Sequence, residues 1–173
     1  MYWLAKILIV YYSLAEKGKV TSEERVVNEL ESIFSKSHKV KKVLLESKKK
    51  LSLKEQFKLE KELTLNEEPS IVKGFDLVII GSPIVGSLTS APLVNCFLRG
   101  VGKSTESKVL PKFALFSTGV IPGFAIKKMQ SLLSMNGIKP IESKTFTSIF
   151  EFDSKKIVEV KEFAEKLMEA VES

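Results

Sequence analysis

One cysteine and one histidine are all that the 173 residues offer of the side chains most used in metal sites and nucleophilic catalysis. A lone Cys96 excludes an intramolecular disulfide and any zinc site built from cysteines. A lone His38 excludes two-histidine metal sites and leaves one poor candidate for a Ser/His or Cys/His pair. Arginine is scarce too, with only Arg25 and Arg99 among the 27 basic residues. Nucleic-acid readers lean on arginine for base edges and phosphate forks, so a lysine-dominated excess argues against that role. No apolar run reaches the roughly 18 residues that span a bilayer. The first residues lack the basic start of a signal peptide. The expectation is a soluble, cytoplasmic protein with neither nucleic acid nor membrane as partner.

There is no internal repeat and no low-complexity linker, and the length fits one domain, residues 1–173, at about 150 residues per domain. Basic residues outnumber acidic ones 27 to 21, a formal net charge of +6. This surplus favours anionic ligands or acidic partners without identifying one. Abundant Lys and Glu with few Gln, Asn and Cys is also a thermophile-like composition.

Strand-like and helix-like segments alternate along the chain. Leu4 to Tyr12 is a nearly continuous apolar, β-branched run, the pattern of a central parallel strand covered on both faces. Thr21 and Glu24 have capping-box spacing before a helix whose Val26, Val27, Leu30, Ile33 and Phe34 recur at helical intervals. Val40 to Leu45 is a second strand, and Ser52 to about Leu65 a second helix, with Ser52 and Glu55 as its cap. Phe75 to Ile80 is a third strand, stopped by Gly81-Ser82-Pro83. Pro92 opens a helix that runs to Gly100. Phe113 to Phe116 is a fourth strand, stopped at Ser117-Thr118-Gly119. The next helix ends at Gly137. Lys144 to Phe150 is the fifth strand, and Asp153 or Ser154 caps a final helix. Five strands and five helices in alternation imply right-handed crossovers, hence an α/β, doubly wound parallel sheet with helices on both faces.

Ligands of such sheets bind beyond the carboxyl ends of the strands, where the strand order reverses. Three loops lie there: Ser13–Val20, Gly81–Pro92 and Ser117–Gly123. All are rich in small or hydroxylated residues that let backbone N–H groups approach a ligand. The strand ILIVYYS, the segment DLVIIGSPIVG leading to APLVNCFL, and the ALFSTG turn together resemble the flavodoxin-like flavoproteins, from about Lys6 to the C-terminus. That resemblance implies a five-stranded sheet of order 2-1-3-4-5 with FMN at the ends of the first, third and fourth strands. It implies Ser13, Leu14, Ala15, Gly18, Lys19 and Thr21 at the phosphate, where a helix N-terminus supplies unpaired donors. It implies Ser82, Pro83, Ile84, Val85 and Gly86, with Ser117, Thr118 and Gly119, at the ring. No catalytic side chain and no metal is expected, because the flavin carries the chemistry.

The sequence departs from the family at two places. The first loop lacks the Thr-Gly-Asn-Thr core that usually follows the serine, and Gly18, Lys19, Thr21 and Ser22 are offered in its place. The second loop often presents an aromatic ring to the flavin, where this chain has Val85 and Gly86. The receiver domains of two-component signalling share the strand order but need acidic residues after the first strand and an aspartate ending the third. Tyr12-Ser13 and Gly81-Ser82 stand there instead, which excludes them. The expected function is an FMN-binding electron-transfer protein, a carrier or a small quinone or flavin reductase, with a redox donor and a redox acceptor as partners. The alternative is a flavin-free interaction or regulatory module on the same fold. A homo-oligomer is left open. Among the remaining candidates, Cys96 reads as a small buried hydrophobe, His38 as a solvated connector residue, Lys48–Lys50 as a solvated turn, and Trp3 as packing at the sheet edge.

Overall fold

Among the described residues, six strands and five α-helices are laid down in the order β1 (Lys6–Tyr11), α1 (Ser22–Phe34), β2 (Lys39–Leu44), α2 (Leu53–Lys58), β3 (Leu77–Val85), β4 (Thr89–Ser90), α3 (Pro92–Lys103), β5 (Lys112–Gly119), α4 (Ala125–Ser134), β6 (Glu142–Thr147) and α5 (Ser154–Glu172). This computed structural model describes residues 3–14, 19–86, 88–103, 109–148 and 153–173. The sheet runs β2-β1-β3-β5-β6, with every neighbour parallel, and the two-residue β4 folds back antiparallel on the end of β3. With β4 set aside, this is the doubly wound 2-1-3-4-5 order expected from the sequence.

Alternation along the strands divides the core. Ile7, Ile9, Leu77, Ile79, Ala114 and Phe116 face α1 and α5, packing against Val26, Leu30, Phe163 and Leu167. Leu8, Val10, Val78, Ile80, Phe113 and Leu115 face α3 and α4, packing against Val94, Phe97, Met129 and Leu132. β1 and the first half of β3 are buried on both sides, which is why they read as apolar runs and not as alternations. The sheet-edge strands β2 and β6 are half exposed.

The helix starts follow the sequence closely. Both capping boxes form: Thr21 Oγ1 accepts from Glu24 N while Glu24 returns to Thr21 N, and Ser52 and Glu55 do the same. Asp153 caps α5 through the amides of Lys155 and Lys156. Gly137, at φ +72°, ends α4 in the left-handed conformation that glycine adopts without penalty.

Three expectations are corrected. The helix from Ser52 to Leu65 stops at Lys58 and passes into a 3-10 turn at Glu60–Glu62. There Glu60 turns inward to accept from Asn95 Nδ2 at 2.7 Å and to pair with Arg99 at 2.7 Å. The third strand does not stop at Gly81-Ser82-Pro83, nor the fourth at Ser117-Thr118-Gly119. β3 and β5 continue side by side through Ser82↔Ser117 and Pro83↔Thr118. The partnership of β1 with β3 ends at Tyr11↔Gly81. Past that point β1 no longer lines β3, and Pro83, which has no N–H, sits between the end of that pairing and the Ile84↔Ser90 pairing with β4. Gly81 itself is needed for packing: a Cβ on it would fall 2.0–2.5 Å from ring atoms of Phe116. Lastly, α3 runs three residues beyond Gly100, to Lys103. Among the described residues, no helix is long and apolar enough to cross a membrane.

Candidate functional site

The first expected loop leaves β1 through Tyr12, Ser13 and Leu14 and re-enters order at Lys19 and Val20 before the cap residue Thr21. Ala15 and Gly18, like Lys17, lie outside the described residues. Ser13 Oγ and Thr21 Oγ1 are 2.7 Å apart, drawing the loop closed over the helix start. A hydroxyl pair shares one proton and keeps the other, so whichever donates, one O–H remains to offer a ligand. The first turn of α1 carries two carboxylates of different fate. Glu24 is the capping-box partner of Thr21 N. Glu23 is only 6% exposed and accepts from Thr118 Oγ1 at 2.8 Å. That bond ties the start of α1 to the end of β5 and fixes the first and third loops as neighbours across the end of β3.

The second loop is held mostly by its own strand. Ser82 is fully buried; its Oγ accepts from Ala91 N at 2.8 Å and donates to the Pro83 carbonyl at 2.8 Å. Val85 is 4% exposed and belongs to the core against α3 and α4. It does not present a side chain to the carboxyl-end surface, which removes it as the counterpart of the family's aromatic residue. Ile84 points the other way and lies against Gly119 and Gly123, where added Cβ atoms would fall 2.8 Å and 2.9 Å from it. The turn itself needs left-handed backbone at Gly86 (φ +54°) and at Leu88 (φ +63°). A leucine in that conformation is strained by roughly 1–2 kcal/mol, and Leu88 O is held by Phe124 N at 2.6 Å.

In the third loop, Ser117 and Thr118 are buried at the end of β5, Ser117 bonded to Thr145 Oγ1 at 2.9 Å. Gly119 pairs with Thr147 as β5 ends. Beyond it the chain exposes Val120, Ile121 and Phe124, and Lys127 Nζ stands 5.9 Å from the centroid of the Phe124 ring. Leu14 and Val20 complete an apolar rim of five side chains, each 45–60% exposed. The sequence reading did not single out Glu23, Leu88, Val120, Ile121 or Phe124. The available signal was Phe124 directly after Gly123, an aromatic at a loop–helix junction at the correct end of the sheet.

A cavity of about 520 Å³ opens between the ends of β1 and β2, with Tyr12, Ser13, Glu24, Glu46 and Lys48–Lys50 in its walls; none of the five exposed apolar residues lines it. Cys96 and His38 lie elsewhere. Burial pushes the Cys96 thiol up; it is half buried, with Sγ 3.5 Å from the Leu63 carbonyl. His38 is not simply solvated: its Nδ1 accepts from Ala5 N at 3.2 Å. Trp3 is about half exposed. No cluster of three or more metal-binding side chains occurs among the described residues.

The chain matches no protein-family model, and no curated protein matches it in sequence. Solved structures do match. Oxidised flavodoxin 1 from Bacillus cereus superposes with a TM-score of 0.65 at 13% identity, over 95% of this chain and 98% of that one. The two-electron reduced flavodoxin of Megasphaera elsdenii gives 0.63 at 19% identity, over 96% and 99%. This chain has the flavodoxin fold. The rubredoxin:oxygen oxidoreductase of Desulfovibrio gigas contains the same fold within a longer chain, with a TM-score of 0.67 at 16% identity over 96% of this chain and 36% of that one. The flavodoxin fold accounts for the crossover at β1 and β3, which brings the three loops described above to one end of the sheet.

Proposed function

We propose that this protein is a flavin-binding electron carrier and that its flavin is FMN. The observation that carries the reading is the apolar rim of Leu14, Val20, Val120, Ile121 and Phe124 at the strand-order reversal. Exposed apolar side chains on two of the three loops at the ligand-binding end of the sheet suit a flat, amphipathic ring. Phe124 takes the role that Val85 cannot. Phosphate would meet the remaining hydroxyl proton of the Ser13–Thr21 pair and the positive end of α1. A bound flavin supplies one- and two-electron transfer; the chain's own residues bind it, orient it and limit its contact with water. No described side chain at the rim is needed as an acid or base, which favours a carrier over a quinone or flavin reductase.

A flavin-free interaction module is the second reading, and one feature favours it. Glu23 and Glu24 place two carboxylates in the first turn of α1, and the capping box already uses the amides of Thr21 and Glu24. The described phosphate cradle is therefore sparse. Titration with FMN and with riboflavin, followed by flavin fluorescence, decides between the two. One hydroxyl and a helix N-terminus opposed by two carboxylates support about a tenfold preference for FMN, equal to about 1.4 kcal/mol. Equal affinities remove the phosphate from the site, and absence of binding by either flavin leaves the module reading.

A further inference from the structure

The carboxyl-end face carries a charge pattern that the flavin site alone does not explain. Lys48, Lys49 and Lys50 are exposed beyond β2 and share cavity walls with Tyr12 and Ser13 at the end of β1. Lys127 and Lys128 open α4, with Lys127 over the exposed ring of Phe124. The described carboxylates at this end are mostly engaged elsewhere. Glu24, Glu55 and Asp153 hold helix starts, and Glu23 is buried against Thr118. Glu46 remains there, and Lys48 also shares a second cavity with Glu60, Glu67 and Glu68, so the exposed basic surplus of this face rests chiefly on Lys49, Lys50 and Lys127. Exposed apolar side chains and the exposed cations Lys48–Lys50 and Lys127 thus share the carboxyl-end face of the sheet, on a chain whose formal net charge is +6.

We infer that this face docks an acidic electron-transfer protein. The identification of the partner as an electron-transfer protein rests on the flavin reading; its acidity rests on the lysines. Long, flexible lysines at the rim of an interface act chiefly on encounter, through the summed field, while a small apolar centre is desolvated on contact. Weak, fast complexes of this kind bury little area, as suits a carrier that must leave one partner for the next.

The probe is a plant-type [2Fe–2S] ferredoxin, acidic and redox-active, added to the ¹⁵N-labelled chain with and without FMN. Amide shifts should concentrate at Ser13, Lys48–Lys50 and Val120–Phe124. Binding should weaken by about tenfold between 50 and 200 mM salt, since the screening length of exposed charges shortens across this range, passing through about 10 Å at 0.1 M. The triple variant Lys48→Glu/Lys49→Glu/Lys50→Glu should bind about tenfold more weakly, while Lys73→Glu, before β3 at the opposite end, should bind as the parent does. Shifts on another surface, salt-independent binding, equal binding of a basic cytochrome c, or stronger binding of a single-stranded DNA oligomer would each overturn the inference. If ferredoxin docks at these amides and FMN does not bind, the docking surface stands and the flavin reading fails. If FMN binds and ferredoxin leaves these amides unmoved, the docking surface fails alone.

Discussion

Glu23 and Glu24 are neighbours in the first turn of α1, yet only Glu24 is there for the helix alone. A carboxylate near a helix N-terminus is worth about 0.3–1 kcal/mol to stability, and Glu24 adds the reciprocal capping bonds. Glu23 accepts from Thr118 on a strand 95 residues away in sequence, and it does so at the point where an anion would approach α1. Glu23→Gln keeps an acceptor for Thr118 and removes the charge. The expected outcome is severalfold tighter FMN with riboflavin unchanged, at a loss of no more than about 1 kcal/mol of stability. Parallel titrations of the two flavins and a urea melt check it; tightening of both flavins alike would place the effect on the loop and not on the phosphate. Thr118 was recognised in the sequence as a site residue, but its role as a hydrogen-bond donor to a buried carboxylate was not visible there. Nothing in the spacing of Glu23 and Thr118 announces that they meet.

Among the elements, what sequence showed and what it hid divide along a physical line. Caps are local, so Thr21, Ser52 and Asp153 were readable from a few residues each. Strand ends depend on neighbours. Gly81-Ser82-Pro83 has the composition of a turn, but β5 lies alongside and pairs with it, so β3 continues. The connection between β2 and β3 was the least legible, because its helix is ended by a tertiary network in place of a local breaker. Ser90, Asn95, Glu60 and Arg99 form that network, with Asn95 Nδ2 donating to the Glu60 carboxylate and Arg99 ion-paired with it. Glu60→Ala removes the acceptor of Asn95 Nδ2 and the ion-pair partner of Arg99. Hydrogen bonds to charged groups contribute about 1.5–3 kcal/mol, so a loss of that size is expected. Glu62→Ala, on an exposed side chain of the same turn, should stay within about 0.5 kcal/mol. Urea midpoints at constant m-value measure both; a Glu60 loss no larger than that of Glu62 would mean the network does not hold this connection.

For the whole molecule, the sheet has a graded interior that its sequence largely dictates. β1, β3 and β5 are covered by helices on both faces, whereas β2 and β6 form the edges and are only partly buried. The edge strands are also the charged ones: Lys39, Lys41 and Lys42 lie exposed on β2, and Lys144 on β6. Lysines at a sheet edge oppose pairing with a second sheet, so any self-association is expected to use another surface. Graded burial has a dynamic consequence, since segments open locally with free energies that range up to the global value. Amides of Ile7–Val10, Leu77–Ile80 and Ala114–Phe116 should exchange with solvent only through global unfolding, with free energies equal to that from urea. Amides of β6 should exchange through smaller openings, because its burial rests largely on Phe146, which stacks edge-on between Phe116 and Phe163 at centroid distances of 6.2 Å and 5.8 Å. Phe146→Leu should therefore lower protection in β6 well before it lowers protection in β1. Native-state hydrogen exchange across a urea series tests this, and equal loss in the two strands would show that the edge and the centre of the sheet open as one unit.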